Sequence, residues 1–407
     1  MDIVLLPFIS AFIGWGTNVL ALRMTFYPLE FVGFEIKGLK AIGWDGLPAL
    51  GWQGIIPSKA EHMAGKATDM ITNKLIDVED QFGRIEPAVV ARQMGPHILR
   101  LAREVTDEVM TANVPMWKLF PKQRKEKIYA RAAEEIPVVI EEIMEDVKNN
   151  ITDVFDLKAM AIGHLTKNKI LLNRIFLEVG DKEFTFIERS GFVFGFGFGI
   201  LQAILWVYWG APWQLPVGGL VVGWLTNVLA LRMIFSPTNP INFLGLKIQG
   251  LFIKRQDEVS KGYAQLVSDN VMTMDNVFNQ MFKGAGADRL ATIIARHTQE
   301  GIDKTAGFNS SVIKLTSGTD TYDKIKEVAV RRFVEAAPEQ IHVVFGYAKE
   351  ALDIEDTMYT RMSKLPPNEF VDFLRPVFQE DEWKLILTGA ILGMVAGFLQ
   401  LLLTMLF

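Results

Sequence analysis

The chain has 407 residues, half of them hydrophobic, with a mean hydropathy of +0.20 and a net charge of −5. This small negative charge argues against a nucleic-acid-binding protein, and the absence of cysteine excludes disulfides and thiolate metal sites. The high hydropathy is unusual for a soluble protein of this length.

Three stretches without Asp, Glu, Lys or Arg predict passage through a membrane: residues 3–22, 190–231 and 385–407. About 20 apolar residues span a bilayer, so the first and last stretches predict one crossing each. The middle stretch is about twice that length, and the helix-breaking residues of "WGAPWQLP" predict two helices joined by a turn. The start "MDIVLLPF" lacks the basic residues of a secretory signal, so a retained helix is expected. The sequence thus predicts four membrane helices, at 2–24, 190–209, 214–235 and 385–406.

Two segments of the chain occur twice. "GWGTNVLALRM" from Gly14 and "GWLTNVLALRM" from Gly223 differ at one position, and "SGFVFGFGFGILQ" from Ser190 parallels "TGAILGMVAGFLQ" from Thr388. Internal similarity at this spacing predicts a tandem duplication. Each copy begins and ends with a membrane helix. The predicted domains are repeat 1 (1–210, with a helical section at 58–186) and repeat 2 (211–407, with a helical section at 254–382).

The motifs "GWGTNVLALRMTFYP", "QGIIP" and "ERSGFVFGFGFGILQ" resemble the bacterial membrane-protein family named domain of unknown function 445. The resemblance covers nearly the whole chain as a tandem pair. It implies a location in the bacterial inner membrane and no particular activity. The second copy departs from the pattern, because "QGLFI" lacks the proline and Ile386-Leu387 replace Glu188-Arg189.

The two polar sections carry apolar residues at three- and four-residue intervals, as in "KEKIYARAAEEIPVVIEEIMEDVK". This period predicts amphipathic helices, and hence an all-α protein with a large extramembrane lobe. Their apolar faces suit either mutual packing or a groove for an acyl chain. Pro137 and Pro338 fall at matching places, where each would kink a helix or begin a new one. Residues 27–57 predict short extended segments at the headgroup level, because tryptophan favours that depth.

Each predicted membrane helix carries a stripe of small residues with an amide near its end. Small residues let helices approach closely in lipid, and amides hydrogen-bond between them, so this face should point inward. The same residues would also suit a polar intramembrane site for a headgroup, water or an ion. The candidate residues are Gly14, Thr17, Asn18, Gly195, Gln202, Gly223, Thr226, Asn227, Gly393 and Gln400.

Arg23 and Arg232 close the two opening helices. Each is either an anchor whose charged head reaches the interface or a contact for a lipid phosphate.

Two crossings per copy place both polar sections on one side of the membrane, in parallel repeats. Inverted repeats, which are common in secondary transporters, need an odd number of crossings per copy. Every Lys and Arg would then lie on the side of the sections, so the positive-inside rule predicts that the lobe is cytoplasmic.

Catalytic signatures are missing from the sequence: it has no HExxH, Walker or Gly-x-Ser-x-Gly motif. The histidines lie far apart in sequence and predict no metal site: His62, His97, His164, His297 and His342. We therefore expect no enzyme, cofactor or metal. Three functions stay open: binding or conveying a lipid or another hydrophobic ligand, a scaffold or docking stalk, and a pore or transporter using the inward amides. The expected partners are membrane lipids, with a homo-oligomer or protein partner as further options.

Overall fold

The computed structural model describes residues 3–34, 50–243, 246–317, 319–375 and 382–406, and nearly all of them are helical. The all-α prediction is therefore confirmed. The chain forms two compact units, each assembled from separate stretches. The first unit comprises Met1–Leu75, Ala161–Asn270 and Met358–Phe407, and the second Ile76–Met160 and Val271–Thr357. The predicted repeat boundary at 210–211 thus falls inside the first unit.

The part of the chain up to Val179 begins with a 3-10 turn at Ile3–Leu5. It also contains a π-helical turn at Ile71–Leu75 and a 3-10 turn at Pro115–Leu119. The strands of this part are β1 (Val32–Phe34) and β2 (Leu50–Trp52). Its helices are α1 (Leu6–Phe26), α2 (Ile55–Ser58), α3 (Ala60–Met70), α4 (Val78–Gly83), α5 (Pro87–Asn113), α6 (Lys122–Asn149), α7 (Ile151–Val154), α8 (Leu157–Lys167) and α9 (Lys169–Val179).

The elements from Asp181 onward include strands β3 (Ile241–Phe243) and β4 (Leu246–Ile248) and a 3-10 turn at Ile341–Val344. The helices of this part are α10 (Asp181–Trp209), α11 (Gln214–Phe235), α12 (Leu251–Lys254), α13 (Gln256–Asn270), α14 (Met274–Lys283), α15 (Ala287–Ser317), α16 (Thr319–Gln340), α17 (Phe345–Leu352), α18 (Ile354–Ser363), α19 (Pro367–Leu374) and α20 (Glu382–Leu406).

Three helices within the described residues are long and apolar enough to cross a membrane: Asp181–Trp209, Gln214–Phe235 and Glu382–Leu402. They correspond to three of the four predicted crossings. The predicted turn between the first two is present, because α10 ends at Gly210 with a φ of 51°. Glycine adopts this left-handed conformation without the steric cost that a Cβ brings.

In the first unit, α1 packs along α10 and α11 packs along α20. Both pairs also meet, because α1 and α10 each contact α11. Large apolar side chains such as Phe12, Trp15 and Val193 are exposed on the outer faces of this bundle. An apolar outer face and an interior of small residues are typical of helices packed in lipid.

A short antiparallel hairpin follows each of α1 and α11. In the first, Val32 lies opposite Trp52, and in the second Ile241 lies opposite Ile248. The strands β1 and β2 agree with the extended segments predicted for 27–57, of which residues 35–49 lie outside the described part.

In the second unit, α5, α6, α15 and α16 form a ring in which each helix contacts two others. Their apolar stripes face the middle of the ring, as amphipathic periodicity requires. Pro137 lies inside α6 and Pro338 inside α16, so neither proline begins a new helix.

Candidate functional site

The contact between α1 and α10 is made by backbone against backbone. A Cβ built on Gly14 would overlap the carbonyl oxygen of Gly191, and one on Gly195 would overlap that of Ser10. Only glycine allows this approach, because any side chain would separate the two helices. The seam therefore depends on Gly14, Gly191 and Gly195.

The contact between α11 and α20 repeats this arrangement. A Cβ on Gly223 would overlap the carbonyl oxygen of Gly389, and one on Gly393 would overlap that of Gly219. The predicted glycines Gly14, Gly195, Gly223 and Gly393 are thus all buried at helix–helix seams.

Two predicted asparagines bridge these same seams. Asn18 is fully buried, and its Nδ2 donates to the backbone carbonyl of Ile187 at 2.7 Å. Asn227 is likewise buried and donates from Nδ2 to the carbonyl of Leu385 at 3.1 Å. Each amide crosses from one helix to its neighbour, which agrees with a role in holding the helices together.

The predicted threonines bond mainly within their own helices. Thr17 Oγ1 donates to the carbonyl of Gly14 at 3.1 Å, and Thr226 Oγ1 to that of Gly223 at 3.4 Å. Thr226 Oγ1 also lies 3.5 Å from Asn18 Oδ1, a contact between the two helix pairs.

The two predicted glutamines are buried near the other end of the bundle. Gln202 Oε1 accepts from Ser10 Oγ at 3.1 Å, and its Nε2 lies 3.5 Å from the carbonyl of Gln214. Gln400 Nε2 is buried and has no hydrogen-bond partner among the described residues.

Arg23 and Arg232 are exposed in the last turns of α1 and α11. Their place at the helix ends suits an interfacial anchor and a phosphate contact equally. Both interpretations stay predictions.

We expect Asn18→Ala to lower the free energy of unfolding by about 0.6–1.7 kcal/mol, the range of interhelical hydrogen bonds in membrane proteins. Thr17→Ala is the matched control, because Thr17 bonds within its own helix. Thermal unfolding of both variants in detergent tests this prediction. Equal midpoints for the two variants would contradict it.

The ring of helices in the second unit lines a partly open cavity of about 290 Å³. Its wall is predominantly apolar and includes contributions from all four helices of the ring, such as Ile98, Ala132, Ile294 and Phe333. An apolar cavity of about 150 Å³ is already large enough to take up small apolar molecules such as benzene. This cavity is therefore suited to an apolar ligand.

Three residues at the wall of the cavity, Tyr322, Lys326 and Trp117, bond through their polar groups to nearby carboxylates. Tyr322 donates from its hydroxyl to Asp303 at 2.9 Å, and Lys326 Nζ lies 3.0 Å from the same carboxylate. Burial and the hydrogen bond to Asp303 raise the pKa of Tyr322, which stays neutral. On the other side, Trp117 donates from Nε1 to Asp107 at 2.9 Å. These pairings satisfy the polar groups of the three residues, and the rest of the wall is predominantly apolar.

The structure also brings together residues that the sequence did not connect. Glu142, His297 and Glu300 present ligand-type atoms within 4.8 Å of one another, on α6 and α15. His297 and Glu300 are one helical turn apart, and this spacing was the only feature of the sequence that pointed to a shared site. The contribution of α6 becomes visible only once the two helices are packed.

Comparison with curated proteins finds the UPF0754 membrane proteins of Staphylococcus aureus, among them those of strains JH9, Newman and USA300. Each is 26% identical to this chain over 107 residues, which make up 26% of this chain and 28% of the relative. The match thus spans little more than a quarter of either protein. No family model and no solved structure matches the chain. Similarity to bacterial membrane proteins and three apolar helices together support membrane association.

Proposed function

We propose that this protein is a non-enzymatic integral membrane protein whose second unit binds or conveys a hydrophobic ligand, such as the acyl chain of a membrane lipid. The observation that carries the proposal is the apolar cavity inside the ring of α5, α6, α15 and α16. Binding sites for small molecules are predominantly apolar and measure about 300–1,000 Å³. The cavity, at about 290 Å³, lies just below the lower end of that range.

The proposal includes a topology for the first unit. α1 would be the fourth membrane helix, because it packs against α10 through close glycine contacts. The same kind of contact joins α11 to α20. The equivalence of these two seams also supports two parallel repeats. The polar sections would lie in the cytoplasm of a bacterium, because every Lys and Arg would then be on their side of the membrane. Membership of the family named domain of unknown function 445 is part of the proposal and is supported by the sequence motifs given above.

A pore or transporter that uses the inward amides is less well supported. Asn18 and Asn227 each donate to a backbone carbonyl of a neighbouring helix, so these donors are already engaged. A scaffold function would need an exposed apolar docking face on the second unit, and the apolar stripes of its helix ring instead face the cavity.

Filling the cavity should weaken ligand binding. Ala132 lines the cavity from α6, whereas Ala130, two residues earlier on the same helix, is exposed. We expect Ala132→Phe to weaken binding of a fluorescent fatty acid more than about tenfold, a loss of about 1.4 kcal/mol. The measurement is probe fluorescence titrated against the purified full chain, with Ala130→Phe as the matched control.

Lipid extracted from the two purified variants and identified by mass spectrometry provides the second readout. Less co-purified lipid in Ala132→Phe than in Ala130→Phe supports the proposal. Equal probe affinity and equal lipid content in the two variants would show that the cavity is not the binding site.

A further inference from the structure

We propose that Glu142, His297 and Glu300 form a binding site for a divalent transition-metal cation of the zinc class. Glu142 is on α6, and the other two residues are on α15, so the cation would join two helices of the second unit. None of the three residues lines the apolar cavity. The site is therefore independent of the proposed ligand-binding function.

The two distances from the imidazole nitrogen to the carboxylates are close to those of ligands on one cation, and all three ligand atoms lie within 4.8 Å of one another. His297 Nδ1 lies 3.6 Å from Glu142 Oε2 and 4.0 Å from Glu300 Oε2. Zinc binds nitrogen and oxygen ligands at about 2.0–2.2 Å, which places two ligands of one tetrahedral ion about 3.4 Å apart. Side-chain shifts of about half an ångström would bring these atoms to that separation.

Two of these atoms are buried without a hydrogen bond. His297 Nδ1 and Glu142 Oε2 are enclosed and have no hydrogen-bond partner among the described residues. Leaving a buried polar atom unsatisfied costs about 1–3 kcal/mol, so such atoms call for a physical explanation. A bound cation would satisfy both at once.

The other nitrogen of the imidazole ring is already engaged. His297 Nε2 lies 3.1 Å from Asp146 Oδ2, and Asp146 Oδ1 accepts from Asn150 Nδ2 at 2.9 Å. Arg296 also donates to Asp146, which fixes this carboxylate further. A carboxylate that accepts from one ring nitrogen leaves the lone pair of the other nitrogen for a metal, and this arrangement recurs at metal-binding histidines.

With the proton on Nε2, the Nδ1 lone pair faces a carboxylate oxygen, and two acceptors repel each other. The nearby cationic side chains do not separate them. Lys304 Nζ lies 3.1 Å from the other oxygen of Glu142, and Arg296 is bound to Asp146. A cation between Nδ1 and Oε2 would remove this repulsion. In the other tautomer, Nε2 accepts from Arg296 Nη2 at 3.3 Å and Nδ1 carries the proton that faces Glu142. The two arrangements differ in metal binding.

The donor set identifies the class of metal. One imidazole nitrogen and two carboxylate oxygens suit Zn²⁺ and its first-row neighbours, whereas Mg²⁺ and Ca²⁺ prefer oxygen ligands alone. Three protein ligands leave a fourth position for water.

The test uses the full chain in detergent, without a histidine tag, stripped with a chelator and then dialysed. Zn²⁺ is titrated by calorimetry, and Co²⁺ serves as a spectroscopic substitute whose visible absorption reports nitrogen and oxygen ligation. The variants are His297→Ala and Glu300→Gln, and His97→Ala on α5 is the matched histidine control. Glu300 is 54% exposed, so Glu300→Gln is expected to fold even if the loss of His297 impairs packing.

We expect one Zn²⁺ per chain, and affinity reduced more than about tenfold in Glu300→Gln and His297→Ala but unchanged in His97→Ala. Stoichiometric binding that is unaffected by Glu300→Gln in a folded protein would overturn the proposal. The absence of stoichiometric Zn²⁺ binding to the unmodified chain would overturn it as well. Fatty-acid binding is measured on the same samples, so a failure of this site is distinguishable from a failure of the cavity.

Discussion

Gly14→Leu is expected to lower the stability of the first unit by about 3 kcal/mol or more, whereas Gly16→Leu leaves it near that of the unmodified protein. A Cβ at Gly14 would overlap the backbone carbonyl of Gly191, and backbone cannot rotate away as a side chain can. Overpacking a tight interior costs about 1–3 kcal/mol and occasionally more, and here the obstacle is rigid. The corresponding fall in the thermal midpoint is about 6–12 °C.

Gly16 provides the control on the same helix. A Cβ at Gly16 would have no atom within 4 Å, and leucine favours a helix more than glycine does. The measurement is the thermal unfolding midpoint of the two variants in one detergent. Gly223→Leu should resemble Gly14→Leu, because a Cβ there would overlap the carbonyl of Gly389. Equal midpoints for Gly14→Leu and Gly16→Leu would show that the seam is not tightly packed.

The buried face of α1 could be anticipated from the sequence. Gly14, Thr17 and Asn18 fall at three- and four-residue steps, which place them on one side of any helix. An amide is costly in apolar surroundings unless it is hydrogen-bonded, so if α1 crosses a membrane, Asn18 is expected to face a neighbouring helix. The hydrogen-bond partner of Asn18, the carbonyl of Ile187, could not be predicted. Residue spacing within one helix does not show which residues of the neighbouring helix lie opposite it.

The stretches of chain that make up each of the two units could not be predicted in the same way. Tandem repeats suggest two successive bodies, yet each unit takes stretches from both halves of the chain. Amphipathic periodicity identifies the buried face of α6 but not the helix that covers it. In the structure α15 covers part of that face.

The same limit explains why the candidate metal site was missed. His297 and Asp146 are 151 positions apart in sequence and come within hydrogen-bond distance only through the packing of α6 on α15. Sequence spacing detects ligand sets on one helix or one loop. It does not detect a set divided between two helices whose pairing is unknown.

Arg255→Ala is expected to destabilise the first unit by about 3–5 kcal/mol, the cost of leaving a buried charge without its partner. Arg255 Nη1 lies 2.6 Å from both carboxylate oxygens of Glu183, in the first turn of α10. The Glu183 side chain is 1% exposed and that of Arg255 is 21% exposed. In Arg255→Ala, the Glu183 carboxylate would therefore lose the guanidinium at a position that solvent barely reaches. The measurement is again the thermal unfolding midpoint in detergent.

Lys182→Ala is the matched control, because Lys182 precedes Glu183 and its ion pair with Glu258 is exposed to solvent. Exposed pairs contribute little, so this variant should unfold near the midpoint of the unmodified protein.

Hydrogen bonds from Arg255 and Lys182 lower the pKa of Glu258 to about 2. The contribution of that carboxylate is therefore present above its ordinary pKa and is lost only as the pH falls towards 2.

The double variant Glu183→Leu with Arg255→Met separates the loss of a partner from the loss of the pair. Apolar residues of similar size often replace a buried ion pair without loss, because the cost of desolvating both charges disappears. We therefore expect the double variant to unfold at a higher temperature than Arg255→Ala. If Arg255→Ala and Lys182→Ala unfold at the same temperature, the Glu183–Arg255 pair does not stabilise the junction between α10 and the segment that follows β4.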